Sequence, residues 1–226
     1  MKQHHFLQKS ISVIVSVLTP LVILMIAIRL LIAPTFARIA YRMPGFPADP
    51  YGFIAEDRLR WSEPSIIYLV NTEDISYLSN LTFENGDPVF NDRELSHMED
   101  VKAVVTGMRI ALALGMLIIL AISILAKRFR WTPVLIKAFN RGGWAVLGLI
   151  AAILMFLALN FNSLFTWFHQ IFFESGTWQF HPSDTLIRLF PMRFWQDAFI
   201  FVGLLSSVFG VIVIILTRHH QGRKVQ

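Results

Sequence analysis

Four apolar runs, at about 11–33, 103–126, 144–161 and 198–217, decide what this 226-residue chain can fold into. As helices, they are long enough to cross the ~30 Å hydrocarbon core of a bilayer. In lipid every backbone N–H and C=O must be satisfied within the segment, so the runs are read as four transmembrane helices. Composition agrees: 15% of the residues are charged, against about 25% in a soluble domain. The first run exceeds the apolar core of a signal peptide, about 7–15 residues. It is therefore read as a retained span, although Thr35-Phe36-Ala37 resembles a cleavage site. Pro20 is expected to kink it, and Arg29 to snorkel to the interface.

Charge orients the spans. The stretches before residue 11, from Lys127 to Arg141 and after residue 217 carry basic residues and no carboxylate. All 15 carboxylates lie in the segments 41–100 and 162–197. The excess of Lys and Arg on cytoplasmic loops places both termini in the cytoplasm and both acidic segments outside. Spans two and three, joined by a short loop, are expected to be antiparallel neighbours. The net charge of +5 and pI of 9.8 are no nucleic-acid signal, because the basic residues cluster beside spans as in bilayer proteins. The absence of cysteine excludes disulfides, a cysteine nucleophile and thiolate metal sites.

Within 41–100, Met43-Pro44-Gly45-Phe46-Pro47 reads as a turn-rich entry and Tyr51 to Trp61 as an amphipathic helix. The short apolar run Ser65 to Asn71 fits a helix or a strand. Asn85-Gly86 between Leu81-Thr82-Phe83 and Val89-Phe90 predicts a small hairpin. Asn91 with Glu94 three residues on resembles a capping box, opening a helix that runs unbroken into the second span. The fold class expected is an all-α integral membrane protein of four transmembrane helices, with a small extracytoplasmic α/β-like segment between the first two.

The chemistry-bearing residues gather at the outer mouths of spans two and three. Glu94-Leu95-Ser96-His97-Met98-Glu99-Asp100-Val101-Lys102 holds a histidine and three carboxylates in nine residues. His169 lies in Trp167-Phe168-His169-Gln170-Ile171-Phe172-Phe173. Both histidines fall on one side of the membrane, about 9–12 Å beyond the hydrocarbon edge if helix continues at 1.5 Å per residue. Asp100 and Glu94, three residues either side of His97, share its helix face and are candidates to hold its tautomer. Each histidine alone has a plain reading: a solvated helix end for His97, an interfacial aromatic belt for His169. A His97, Asp100 and His169 metal set suits Zn or Fe, but no H-E-x-x-H spacing supports it, and no metal or cofactor is expected. A serine nucleophile lacks G-x-S-x-G. His4, His5, His181, His219 and His220 are read as structural or tail residues. Two histidines without a nucleophile suit proton shuttling in a direct acyl transfer. The aromatic residues would bind the acyl chain. The competing reading is a non-catalytic lipid-binding or transport protein, for which the spans lack a clearly charged residue at mid-depth.

These motifs, with Leu164-Phe165-Thr166 before the second, Trp178, Phe180, Pro182, Asp184-Thr185-Leu186-Ile187-Arg188-Leu189-Phe190-Pro191 and Phe194-Trp195 after it, resemble the bacterial lipoprotein intramolecular transacylase family. The likeness covers nearly the whole chain and is loosest over 45–91. It implies an enzyme of the cell membrane acting on diacylglyceryl-modified lipoproteins. The sn-2 acyl chain moves to the α-amine of the N-terminal cysteine, leaving a lyso-form lipoprotein. The family's two essential histidines match His97 and His169. Around them Asp100, Glu94, Arg93 and Trp178 are expected to support catalysis, and Phe165, Phe172 and Phe173 to bind substrate.

Overall fold

The computed structural model describes residues 2–222. The apolar runs lie on four helices long and apolar enough to cross a membrane: α1 (Lys2–Leu31), α5 (Asp92–Arg128), α6 (Thr132–Phe172) and α8 (Met192–Gly222). Shorter helices are α2 (Pro34–Ala40), α3 (Ala55–Tyr68), α4 (Ser76–Ser79) and α7 (Thr185–Leu189). The long helices expose large apolar side chains, among them Ile110, Leu114, Leu117, Leu120 and Ile124 on α5, as lipid-facing helices do. α1 runs as helix through Pro20, so the expected kink is no break. The capping box at α5 is formed: Asn91 Oδ1 accepts from the Glu94 N–H at 3.1 Å, and Glu94 Oε2 accepts from the Asn91 N–H at 2.9 Å. From there α5 continues unbroken through the second run, as its sequence predicts. It stops where Arg130 takes φ 61° and the Trp131 N–H reaches back to Ala126 O at 2.7 Å, a left-handed C-terminal cap.

The chain forms two compact units. The first comprises Met1–Ile28, Arg109–Met155 and Phe201–Gln226. Val15 of α1, Ile122 and Ala126 of α5, and Leu135 and Ala138 of α6 form one buried cluster, so the second and third spans are packed neighbours. Small residues let backbones approach, the usual means of holding helices together in lipid. A Cβ on Gly142 would stand 2.5 Å from Thr19 Cβ, and one on Gly143 would stand 3.0 Å from Gly210 O. Asn140 Nδ2 donates to Thr217 Oγ1 at 2.9 Å, and Arg141 donates to Ser12 Oγ. Gly142→Leu is expected to destabilise this packing by about 1–3 kcal/mol, the usual cost of overfilling a core. Gly148→Leu, where a Cβ meets nothing within 4 Å, serves as its control. Thermal unfolding of the two variants in detergent compares them.

The second unit comprises Arg29–Met108 and Phe156–Ile200. Its core is Trp61, Tyr68, Leu78, Val89, Phe90, Met98, Leu186 and Leu189. α3 begins at Ala55 and continues to Tyr68, so the ambiguous run from Ser65 is mostly helix. The segment expected to be α/β-like holds α3, α4 and the start of α5 joined by turns and loops, and among the described residues its only β feature is one isolated bridge between Thr82 and Pro88. The Asn-Gly turn is present, with Gly86 at φ 87° and Phe83 N–H donating to Asp87 O at 2.8 Å. Val89 N–H reaches Leu81 O at 3.0 Å, but Pro88 has no N–H to extend a ladder. Two polar ties close the unit. The Tyr41 hydroxyl donates to Leu189 O at 2.9 Å, and burial pushes its phenol up to about 12, so it stays a donor. Asp49 Oδ2 accepts from Arg188 Nε at 3.0 Å, Arg188 Nη2 at 2.9 Å and the Phe53 N–H at 2.7 Å. Burial alone would raise the Asp49 carboxyl; these donors outweigh it and hold it below its ordinary value.

Candidate active site

The site lies within the second unit and is built by α5, α6 and the loop after α6. On α5 the helical period buries Glu94, His97 and Met98 and leaves Ser96, Glu99 and Asp100 exposed. α6 breaks at Asn160, whose backbone leaves the helical region. Its Oδ1 accepts from the Ser163 N–H at 3.1 Å, capping a fresh helical stretch as an N-cap does. That stretch carries Phe165 and His169 one turn apart on one face. The following loop turns at Gly176 (φ 93°) and brings back Trp178 and Phe180.

The two imidazoles stack at 21° with ring centroids 6.3 Å apart. Phe173 lies 4.9 Å and Phe180 5.4 Å from His97. Phe165 lies 4.1 Å and Trp178 4.8 Å from His169. Both histidines sit on stretches that project beyond the apolar runs. His169 Nδ1 is 2.8 Å from Phe165 O. A carbonyl only accepts, so Nδ1 carries the proton and Nε2 keeps the lone pair. Burial lowers the pKa of both residues. At His97 the second imidazole adds to this, whereas at His169 the bond to Phe165 O partly opposes it. Both stay neutral at pH 7. Two buried polar atoms in the cage have no hydrogen-bond partner: His97 Nδ1 and Trp178 Nε1.

The chain has known relatives. Residues 13–195 match the family described as "Lipoprotein intramolecular transacylase Lit". The chain belongs to the lipoprotein intramolecular transacylase family. Members of this family are acyltransferases that act on lipoproteins in membranes. The chain is 30% identical over 213 residues, 92% of its own length and 93% of the other's, to an uncharacterized protein of Aquifex aeolicus strain VF5. Its fold is similar to the integral membrane lipoprotein intramolecular transacylase Lit of Bacillus cereus: TM-score 0.78 at 18% identity, covering 97% of this chain and 98% of that one. A form of that protein with a histidine-to-arginine mutation gives 0.71 at 16% identity, covering 100% and 97%.

Within the family frame, the structure sorts the expected site residues. His97 and His169 come together, with Phe165, Phe173 and Trp178 around them. Phe172 is turned outward and 47% exposed, so it lines no wall beside the imidazoles. Glu94 does not orient His97. Its Oε1 accepts from the Leu186 N–H at 2.6 Å while Oε2 serves the cap, so it ties α7 to α5. Asp100 is exposed, and the His97 Nδ1 that it is expected to hold has no partner. Among the described residues no three His or carboxylate side chains converge. Arg93 pairs with Asp184 at 3.1 Å at the surface. His5, His181 and His219 are exposed, and the side chains of His4 and His220 lie outside those described. Phe180 is not among the expected site residues; it arrives from a loop, where no helical spacing announces it. Asp100→Ala is accordingly expected to keep acyl transfer within about twofold of wild type, as surface changes usually do little. Initial rates in membranes check this.

Proposed function

We propose that this enzyme moves the sn-2 acyl chain of a diacylglyceryl lipoprotein to the α-amine of its N-terminal cysteine, giving a lyso-form lipoprotein by direct aminolysis. The observation that carries this reading is the neutral imidazole pair in an aromatic cage, with the His169 tautomer fixed so that Nε2 is the basic nitrogen. A peptide α-amine ordinarily titrates at about pH 7.7–8.0, so a useful fraction of the cysteine amine is already free. It attacks the ester carbonyl as His169 Nε2 takes its proton. The C–N bond forms and the C–O bond to glycerol breaks as neutral His97 relays that proton, gaining it on one ring nitrogen while its own passes from the other to the departing oxygen. Both imidazoles end neutral, as they began. Amine and ester belong to one molecule, so holding them in attack geometry supplies several kcal/mol of the barrier. The chain has no cysteine and Ser96 is exposed, which favours direct transfer over an acyl-enzyme. Phe165 and Phe173 receive the acyl chain. The distribution of carboxylates and basic residues supports a site on the extracytoplasmic face with both chain ends in the cytoplasm.

Mass spectrometry of the N-terminal lipopeptide of a diacyl lipoprotein, coexpressed with this protein, tests the reading. The expected product keeps the total acyl mass and carries one chain on the cysteine nitrogen. An unchanged diacylglyceryl terminus with a free amine, with the protein present in the membrane, overturns it.

A further inference from the structure

Aminolysis of an ester puts negative charge on the carbonyl oxygen, and something must donate to it. Arg93, the cation nearest His97 in sequence, is spent on Asp184, and its side chain is 57% exposed. The imidazoles are committed to moving protons, and the His169 Nδ1–H is already given to Phe165 O. Besides His97 Nδ1, which belongs to the proton-moving pair, one buried polar atom of the cage is unpartnered, and it is a donor. The Trp178 side chain is only partly buried, yet its indole N–H is turned fully inward and has no partner. A buried indole N–H usually finds an acceptor, and leaving one unpaired is destabilising. The ring stands 4.8 Å from His169 and 6.5 Å from Phe165, beside the imidazole that would take the amine proton. The loop that carries it is held by the Thr177 hydroxyl donating to Glu174 O at 3.0 Å.

We infer that Trp178 is a catalytic residue whose indole N–H donates to the carbonyl oxygen of the sn-2 ester. The donation strengthens as the carbonyl becomes an oxyanion. No atom is transferred to or from the indole: the oxygen gains charge as the amine attacks and loses it as the glycerol oxygen leaves. An apolar cage makes such a donor worth more than it would be in water, since the charge develops where water is excluded. This role rests on the proposed acyl transfer.

The test compares wild type with Trp178→Phe and with β-(3-benzothienyl)alanine at the same position, which keeps the indole outline but has sulfur in place of N–H. The substrate is a diacylglyceryl lipopeptide in detergent micelles. Removing one oxyanion donor typically lowers kcat by about 10²–10³-fold. A donor that acts mainly in the transition state leaves KM within about threefold. Both variants are expected to show that split, with thermal stability of the benzothienyl protein unchanged. A benzothienyl variant that retains kcat within about twofold of wild type overturns the role while the transacylase reading stands. A wild-type protein that leaves the lipopeptide unchanged overturns both.

Discussion

Substituting His169 by alanine is expected to lower the rate of lyso-lipoprotein formation by about 10³-fold, in the middle of the range for loss of a general base. The protein should still reach the membrane at wild-type level, because His169 contributes no side-chain tie between elements beyond its own helix and ring contacts. His97→Ala is expected to fall by a similar factor. If the two imidazoles exchange one proton, the double variant should be little worse than either single one, as for groups acting as a unit. Initial rates from mass spectrometry of the lipopeptide measure all three. Substantial activity in either single variant would sink the paired-histidine scheme. A double variant far below both singles would keep the histidines but break their coupling.

The largest expected effect on folding is at Arg188. Its guanidinium lies 3.4 Å over the Phe53 ring and pairs with Asp49, whose side chain is wholly buried. Arg188→Met keeps most of the packing but strands the carboxylate, and breaking a buried pair costs about 3–5 kcal/mol. Asp49→Asn should cost less, because a neutral amide tolerates burial better than an unpaired charge. Proteolytic resistance of the second unit in detergent ranks the two; equal resistance would show that the pair is not what holds this corner. The pH dependence has a definite sign. The folded Asp49 carboxyl is held below its ordinary value, so its stabilisation is full above that ordinary value. It is lost as pH falls through the lowered one.

How much of this is legible from sequence depends on whether the decisive contact is local. The Asn91–Glu94 cap is a three-residue relation on one helix, and the spacing alone predicts it. The same carboxylate also looks like a partner for His97, because a Glu three residues before a His reads identically whether it faces the imidazole or a distant N–H. Its actual acceptor role toward Leu186 spans 92 residues. The histidine pair is legible because topology puts the mouths of spans two and three together. The break at Asn160 is not, since Leu159-Asn160-Phe161 contains neither proline nor glycine and only the cap to Ser163 reveals it. The expected hairpin has the right turn, but the proline beside it limits the ladder to a bridge. Trp178 and Phe180 reach the cage from a loop, and no periodicity predicts where a loop returns.

The proton on His169 Nδ1 is fixed by main chain, not by a side chain. A carboxylate in that place could be mutated away, could protonate in acid, and could attract the ammonium form of the substrate. The Phe165 carbonyl can do none of these. The identity of residue 165 is free to change without touching the oxygen that sets the tautomer. Saturation mutagenesis would therefore find no side chain that sets the tautomer of the essential base, which is inherited from the helix itself.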